Sequence, residues 1–233
     1  MKLRIAQLAS ITALTTIVTA SPAHVSIASG PAFAGKRAVL TFSVGHGCEG
    51  ADTIAIDVSL PSAITSARGM PSTFGFADVQ LDDADLPTNV VWTKDEVREV
   101  DDQYYQLGIR IAVPDEPFSV HYFSVLQGCR DADGMEYATD WAALPGDEPE
   151  EEGEEAPPAA QLVIVPERHP GWNKFEVPSD IDDLALFFSD AQIVWLDDAA
   201  YSANPAIAEL IEDDEDVDTL EDIPGDSEIW VKY

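Results

Sequence analysis

Between residue 24 and about residue 145 the chain changes hydrophobic phase every few residues, and no helical period survives there. Apolar side chains instead recur in short alternating or continuous runs: Ala38 to Val44, Thr53 to Leu60, Phe76 to Leu81, Asn89 to Thr93, Tyr104 to Val113 and Tyr122 to Leu126. Turn formers punctuate them, as at Gly45-His46-Gly47, Pro61, Gly69 to Pro71 and Pro114. Strands at this spacing, with no amphipathic helices between them, predict a mainly β chain. The expected architecture is an antiparallel β-sandwich over residues 24–166.

Residues 146–160 carry almost only acid, proline, glycine and alanine, so nothing there can be buried. The stretch reads as an acidic loop or linker before a last sandwich strand, Gln161 to Val165. Beyond it, residues 170–233 read as a small α+β domain. Ser179 is expected to cap a helix running through Phe188, with Asp180, Asp182 and Asp183 in its first turn. Ala191 to Leu196 reads as a strand, Pro205 to Ile211 as a helix started by Asn204, and Ser227 to Tyr233 as a closing strand.

Met1 to Ala23 has the form of a secretory leader. Lys2 and Arg4 precede a mainly apolar stretch, and Ser21-Pro22-Ala23 offers small residues at a cleavage site. Cleavage there leaves His24 first in the mature protein; Ala32-Phe33-Ala34 is an alternative small-residue site, at which His24 would be lost. A histidine in that position presents its α-amine and imidazole Nδ1 to one metal in a single chelate ring, and such nitrogen pairs hold copper most tightly among the first-row divalent ions. No later apolar run approaches the ~18 residues a membrane helix requires, so no membrane insertion is expected once the leader is cut.

Two cysteines, Cys48 and Cys129, follow the leader into an oxidising compartment. An even count there favours a disulfide; the rival is a pair of thiols holding Cu(I). Net charge is −32, from 44 acidic and 12 basic residues, which repels nucleic acid and anionic membrane. Acid spread this widely is a solvation signal first, of the kind that suits high salt.

Few residues are candidates for chemistry. Gly45-His46-Gly47-Cys48-Glu49-Gly50 is a tight loop that either presents Cys48 to Cys129 or lies beneath a metal with His46 or Glu49 near it. Trp141 is a core aromatic or a ring placed against a cation. His121 could fall on either sheet face, and His169 marks a turn between the two units. No nucleophile elbow, H-E-x-x-H, phosphate loop or dinucleotide fingerprint is present, so no enzyme is indicated.

In order along the chain, these segments resemble the YcnI-like periplasmic copper-binding proteins. The resemblance rests on Ala23-His24-Val25-Ser26, Ala34-Gly35 with the strand to Val44, His46 to Gly50 with Thr53 to Ile56 and Leu60-Pro61, then Tyr122 to Cys129 and Trp141. It covers about residues 24–166 and implies an immunoglobulin-like sandwich. It also implies a mononuclear Cu(II) site held by the brace of His24, with Trp141 beside the metal. Two departures stand out. Where the best-described members carry a glutamate ligand, this chain has Lys36-Arg37-Ala38-Val39, and their Pro-Gly-Trp is replaced by Met70 to Phe76. Glu49 and His46 are the candidate substitutes.

The expected function is copper trafficking or homeostasis outside the cytoplasm, with the copper ion and other periplasmic or membrane copper-handling proteins as partners. Two rivals stand beside it. One is a histidine-brace redox enzyme of the polysaccharide monooxygenase kind, which needs His121 or His46 as a second ligand. The other is an extracytoplasmic interaction module with no specific metal.

Overall fold

A computed structural model describes residues 24–99, 101–147 and 157–233. The leader and most of the acidic stretch lie outside the described residues; at its described end the expectation that nothing in 146–160 is buried fails, because Ala159 and Ala160 are buried where β12 begins. Among the described residues, twelve strands precede residue 166: β1 (Ser26–Ile27), β2 (Ala32–Phe33), β3 (Arg37–Val44), β4 (Asp52–Ser59), β5 (Ala67–Gly69), β6 (Asp78–Leu81), β7 (Pro87–Thr93), β8 (Tyr105–Ala112), β9 (Ser119–Phe123), β10 (Val125–Arg130), β11 (Glu136–Trp141) and β12 (Ala160–Val165). They form a four-stranded sheet in the order β1-β3-β8-β5 and a five-stranded sheet in the order β11-β10-β4-β7-β6. A small third sheet, β2-β12-β9, completes this part.

The alternation read from the sequence is the alternation of burial. In β8, Tyr105, Leu107, Ile109 and Ile111 point inward while Gln106 and Arg110 point out. Leu40 and Phe42 of β3, Ile56 and Val58 of β4, and Val90 and Trp92 of β7 meet them in one core. Trp92 is fully buried and satisfies its indole by donating to the Met70 carbonyl at 2.9 Å. The chain is mainly β, an antiparallel sandwich with a smaller α+β portion behind it.

One predicted strand is corrected. Tyr122 to Leu126 is not a single strand: the chain leaves β9 at Phe123 and enters β10 at Val125, in a different sheet. Phe123 and Val125 are both fully buried, so the alternation runs through the crossing unbroken.

Residues 170–233 form a second five-stranded sheet. Its strands are β13 (Trp172–Val177), β14 (Ile193–Leu196), β15 (Ala199–Tyr201), β16 (Asp218–Thr219) and β17 (Ser227–Lys232), in the order β13-β17-β14-β15-β16. Of two short helices, α2 (Pro205–Glu212) packs on β15 and β16, while α1 (Leu184–Phe188) lies against β12 and shares the core beneath the sheet. In α2, Asn204 caps the Ala206 N–H at 3.0 Å and Pro205 opens the first turn, as predicted.

Helix α1 starts later than its sequence suggests. Asp183 caps it, accepting from the Leu186 N–H at 3.1 Å. Ser179 cannot begin it, because Ile181 exchanges backbone hydrogen bonds with Ile223 at 2.8 and 2.9 Å. The Asp180 carboxylate meanwhile accepts from the Gly225 N–H.

The core of this second part is shared with the sandwich. Strand β12 buries both faces: Leu162 and Ile164 point into the sandwich, Val163 and Val165 towards the C-terminal sheet. That explains its continuous apolar run. Phe118, in the left-handed region at φ 61°, turns its ring onto Phe175, Phe187 and Phe188 at centroid distances of 6.0, 6.0 and 5.7 Å. At the same junction the Arg168 guanidinium pairs with Asp190 and lies 4.2 Å from the centre of the Tyr233 ring.

Candidate functional site

Strand β1 runs beside β3 with Ser26 opposite Ser43 and Ile27 opposite Phe42. Val25 is buried, and His24 just before it is exposed at the lip of the sandwich. The His24 imidazole lies 6.0 Å from the Trp141 indole, centre to centre, with the ring planes at 55°.

Trp141 ends β11 opposite Val125 and is 8% exposed. Its indole N–H donates to the Gln127 side-chain oxygen at 3.0 Å. Gln127 is itself 1% exposed, and its amide donates to the His46 carbonyl at 2.8 Å and the Thr53 hydroxyl at 2.9 Å. The Thr53 hydroxyl in turn donates to Asp101 at 3.1 Å. One buried amide therefore fixes the tryptophan ring, the loop carrying His46 and the start of β4. Paired polar groups in a low-dielectric site hold a single geometry, because an unmatched partner there is costly.

The His46 loop is closed covalently. Cys48, in a short 3₁₀ turn (Cys48–Gly50), is bonded to Cys129 on β10, two residues beyond Gln127, with Cα atoms 5.8 Å apart. Both sulfurs are used in that bond, so the thiol pair considered for Cu(I) is ruled out. Gly47 is required for close approach: a Cβ there would collide with the Ala51 carbonyl and with the Asp101 carboxylate.

Beside this network is a buried ionic cluster that the sequence did not reveal. The Asp52 side chain is fully buried and accepts from Lys94 Nζ at 2.8 Å, Tyr105 Oη at 3.1 Å and the Arg98 N–H at 2.7 Å. Burial pushes the Lys94 ammonium down, but its bonds to Asp52 and Tyr105 outweigh that and hold its pKa above the ordinary lysine value. Burial raises the Tyr105 phenol, against the pull of Lys94. The cluster ties the 94–105 connection to β4 as the Gln127 network ties the 46–48 loop to β10.

The geometry thus brings His24, Trp141 and the His46 loop to one end of the sandwich, with Gln127 as the link. His46 is exposed, and its ring Nδ1 lies 2.8 Å from the Gly47 carbonyl. The backbone of Glu49 lies in the 3₁₀ turn, and its side chain is outside the described residues. His121, on β9, pairs with Glu116 at 3.1 Å. The backbone of His169 is bracketed by Asn173, which accepts from its N–H and donates to its carbonyl at 2.8 and 2.7 Å. Among the described residues no group of three or more His, Cys, Asp or Glu side chains converges as a metal cage, and no helix is long and apolar enough to cross a membrane.

Gln127 and Thr53 escape a sequence reading because a polar residue on an alternating strand reads as solvent-facing, and Asp101 because it is one acid in the connection between β7 and β8. The one available signal was the phase: Gln127 stands between Val125 and Cys129 on the inward register.

A family model described as a domain of unknown function, DUF1775, matches residues 24–164, the sandwich to within one residue of the end of β12. Among solved structures, an uncharacterized Nocardia farcinica protein described as having an immunoglobulin-like fold is 28% identical. The match covers 61% of this chain and 98% of that one, with a TM-score of 0.47. The major pilin subunit of Bacillus cereus is 7% identical over 74% of this chain and 46% of that one, with a TM-score of 0.35. No curated protein matches.

Proposed function

The chain belongs to the DUF1775 family, the YcnI-like group, through residues 24–164, and on that premise we propose that it is an extracytoplasmic carrier of Cu(II) with His24 as the binding residue. The observation that carries this reading is the His24–Trp141 pair. The residue that leader cleavage would expose is the one whose ring faces the tryptophan held by Gln127.

In this reading the α-amine and Nδ1 of His24 take the cupric ion as cargo. The Trp141 N–H is already committed to Gln127, so the indole offers its π face, which attracts a cation and keeps water off one side. A clasp of two nitrogens leaves the remaining positions to exchangeable ligands, as handover to a partner protein requires. The Cys48–Cys129 bond fits an oxidising compartment, and the periplasm is the one we assign.

The test is a Cu(II) titration of protein beginning at His24 against protein with one added N-terminal residue. The added residue should weaken binding at least a hundredfold, and electron paramagnetic resonance of the first form should report two nitrogens. Equal affinities would overturn the proposal, as would affinity for copper no greater than for calcium, which the acidic surface alone could supply. Because the amine must be neutral to bind, apparent affinity should fall about tenfold per pH unit below the ordinary α-amine pKa of about 7.7.

A further inference from the structure

The C-terminal sheet turns one face of tryptophan to solvent. Register places Trp172 opposite Lys232, and Trp230 between Lys174 and Trp195. Trp172 and Trp230 are 52% and 48% exposed, and with Trp195 and Asp197 they line an open depression of about 490 Å³. Directly opposed Cβ atoms on neighbouring strands are about 5 Å apart and diagonal ones about 7–8 Å. The three indoles therefore form a staggered row across three strands, about 12 Å from end to end, long enough to run under about two consecutive sugar rings.

The charges around the row decide what it can hold. Residues 170–233 carry eighteen carboxylates and only two basic side chains, Lys174 and Lys232. Both lie on this face, each with its ammonium 5.9 Å from the centre of an indole: Lys174 from Trp230, and Lys232 from Trp172. An organic cation seated among the rings would crowd the Lys232 ammonium, that of Lys174 being paired with Glu228. A second copy of the chain would bring a net charge of −32 against −32, a repulsion that only high salt screens, and an anionic polymer would meet the same field. A neutral ligand with an apolar face and hydrogen-bonding edges avoids all three penalties. A pyranose chain has that form, with C–H groups to lay on the indoles and hydroxyls to meet Lys232, Asp197 and the Lys174–Glu228 pair, itself closed at 2.6 Å.

We propose that Trp172, Trp195 and Trp230 form a platform that binds a neutral polysaccharide chain by stacking, with Lys232 and Asp197 reading its hydroxyls. The platform lies outside the family-matched sandwich and is independent of the copper reading.

The full chain, labelled with 15N-tryptophan, is titrated separately with cellohexaose, xylohexaose and chitohexaose. It has five indole N–H signals. With at least one hexaose the three platform signals should move, while those of Trp92 and Trp141 stay fixed and report an intact sandwich. The double variant Trp172→Ala/Trp230→Ala should bind that sugar at least thirtyfold more weakly; Trp172→Ala alone, a milder change, should weaken it about tenfold. Three results would each overturn the proposal: no movement with any hexaose at millimolar concentration, undiminished binding by the variants, or the same three shifts with tetramethylammonium. Sedimentation showing self-association that the double variant abolishes would overturn it in favour of a dimer.

Discussion

Trp141 and Trp172 are held by opposite means. Trp141 is buried, its N–H is tied to a glutamine that is itself fully hydrogen-bonded, and a disulfide closes the loop that glutamine supports. Trp172 stands half in water with a lysine ammonium above it and no framework around it. The first arrangement spends buried polar groups to fix one ring in one orientation. The second leaves ring faces free. Rigidity at the sandwich end suits recognition of something small and directional, and openness on the C-terminal sheet suits something large and repetitive.

Three measurements would break or sharpen this contrast. The largest effect belongs to the disulfide, which closes a separation of 81 residues. Its reduction, or Cys48→Ala/Cys129→Ala, should cost about 4.5 kcal/mol by loop-closure entropy, read as a lowered denaturant midpoint. Next, Trp141→Ala should cost about 4 kcal/mol, as large buried aromatics do, whereas Trp172→Ala should stay within about 0.5 kcal/mol. Similar losses at the two positions would erase the distinction between a fixed ring and a free one.

The smallest effect is alkaline. Lys94 and Tyr105 both have folded-state pKa values raised above their ordinary 10.5 and 10.0. A raised value stabilises the fold fully below the unfolded pKa and is lost as pH climbs through the folded one. Urea midpoints should hold through neutral pH and fall above about pH 10. Asp52→Asn, which removes the charge that raises Lys94, should flatten that decline.

Much of this molecule is legible in its residue order, and the failures have physical causes. The strands of the sandwich are marked by alternation, because one face of each is buried and the other wet. The crossing at Ser124 is invisible since burial keeps its period while the hydrogen-bonding partners change. Helix α1 starts after Ser179 because a bridge to Ile223, more than forty residues away, claims the backbone of Ile181. Strand β13 was hidden by the Pro170-Gly171 turn before it, and with it the row of indoles. At the sandwich end, His24 and Trp141 could be named from sequence, but the residues that position them could not. Asp52 is one carboxylate among 44 acidic residues, and only its burial singles it out.

Phe118 has a bearing on whether the two parts of the chain can be separated. It belongs to the sandwich by chain position, yet its ring completes the hydrophobic centre of the C-terminal sheet. A gene fragment ending near residue 169 would encode a sandwich with an oily wound on its flank, and the fragment beyond would lack a wall. The tail is therefore no detachable tag: removing it would bare the Phe118 ring and the outer side of β12 to water.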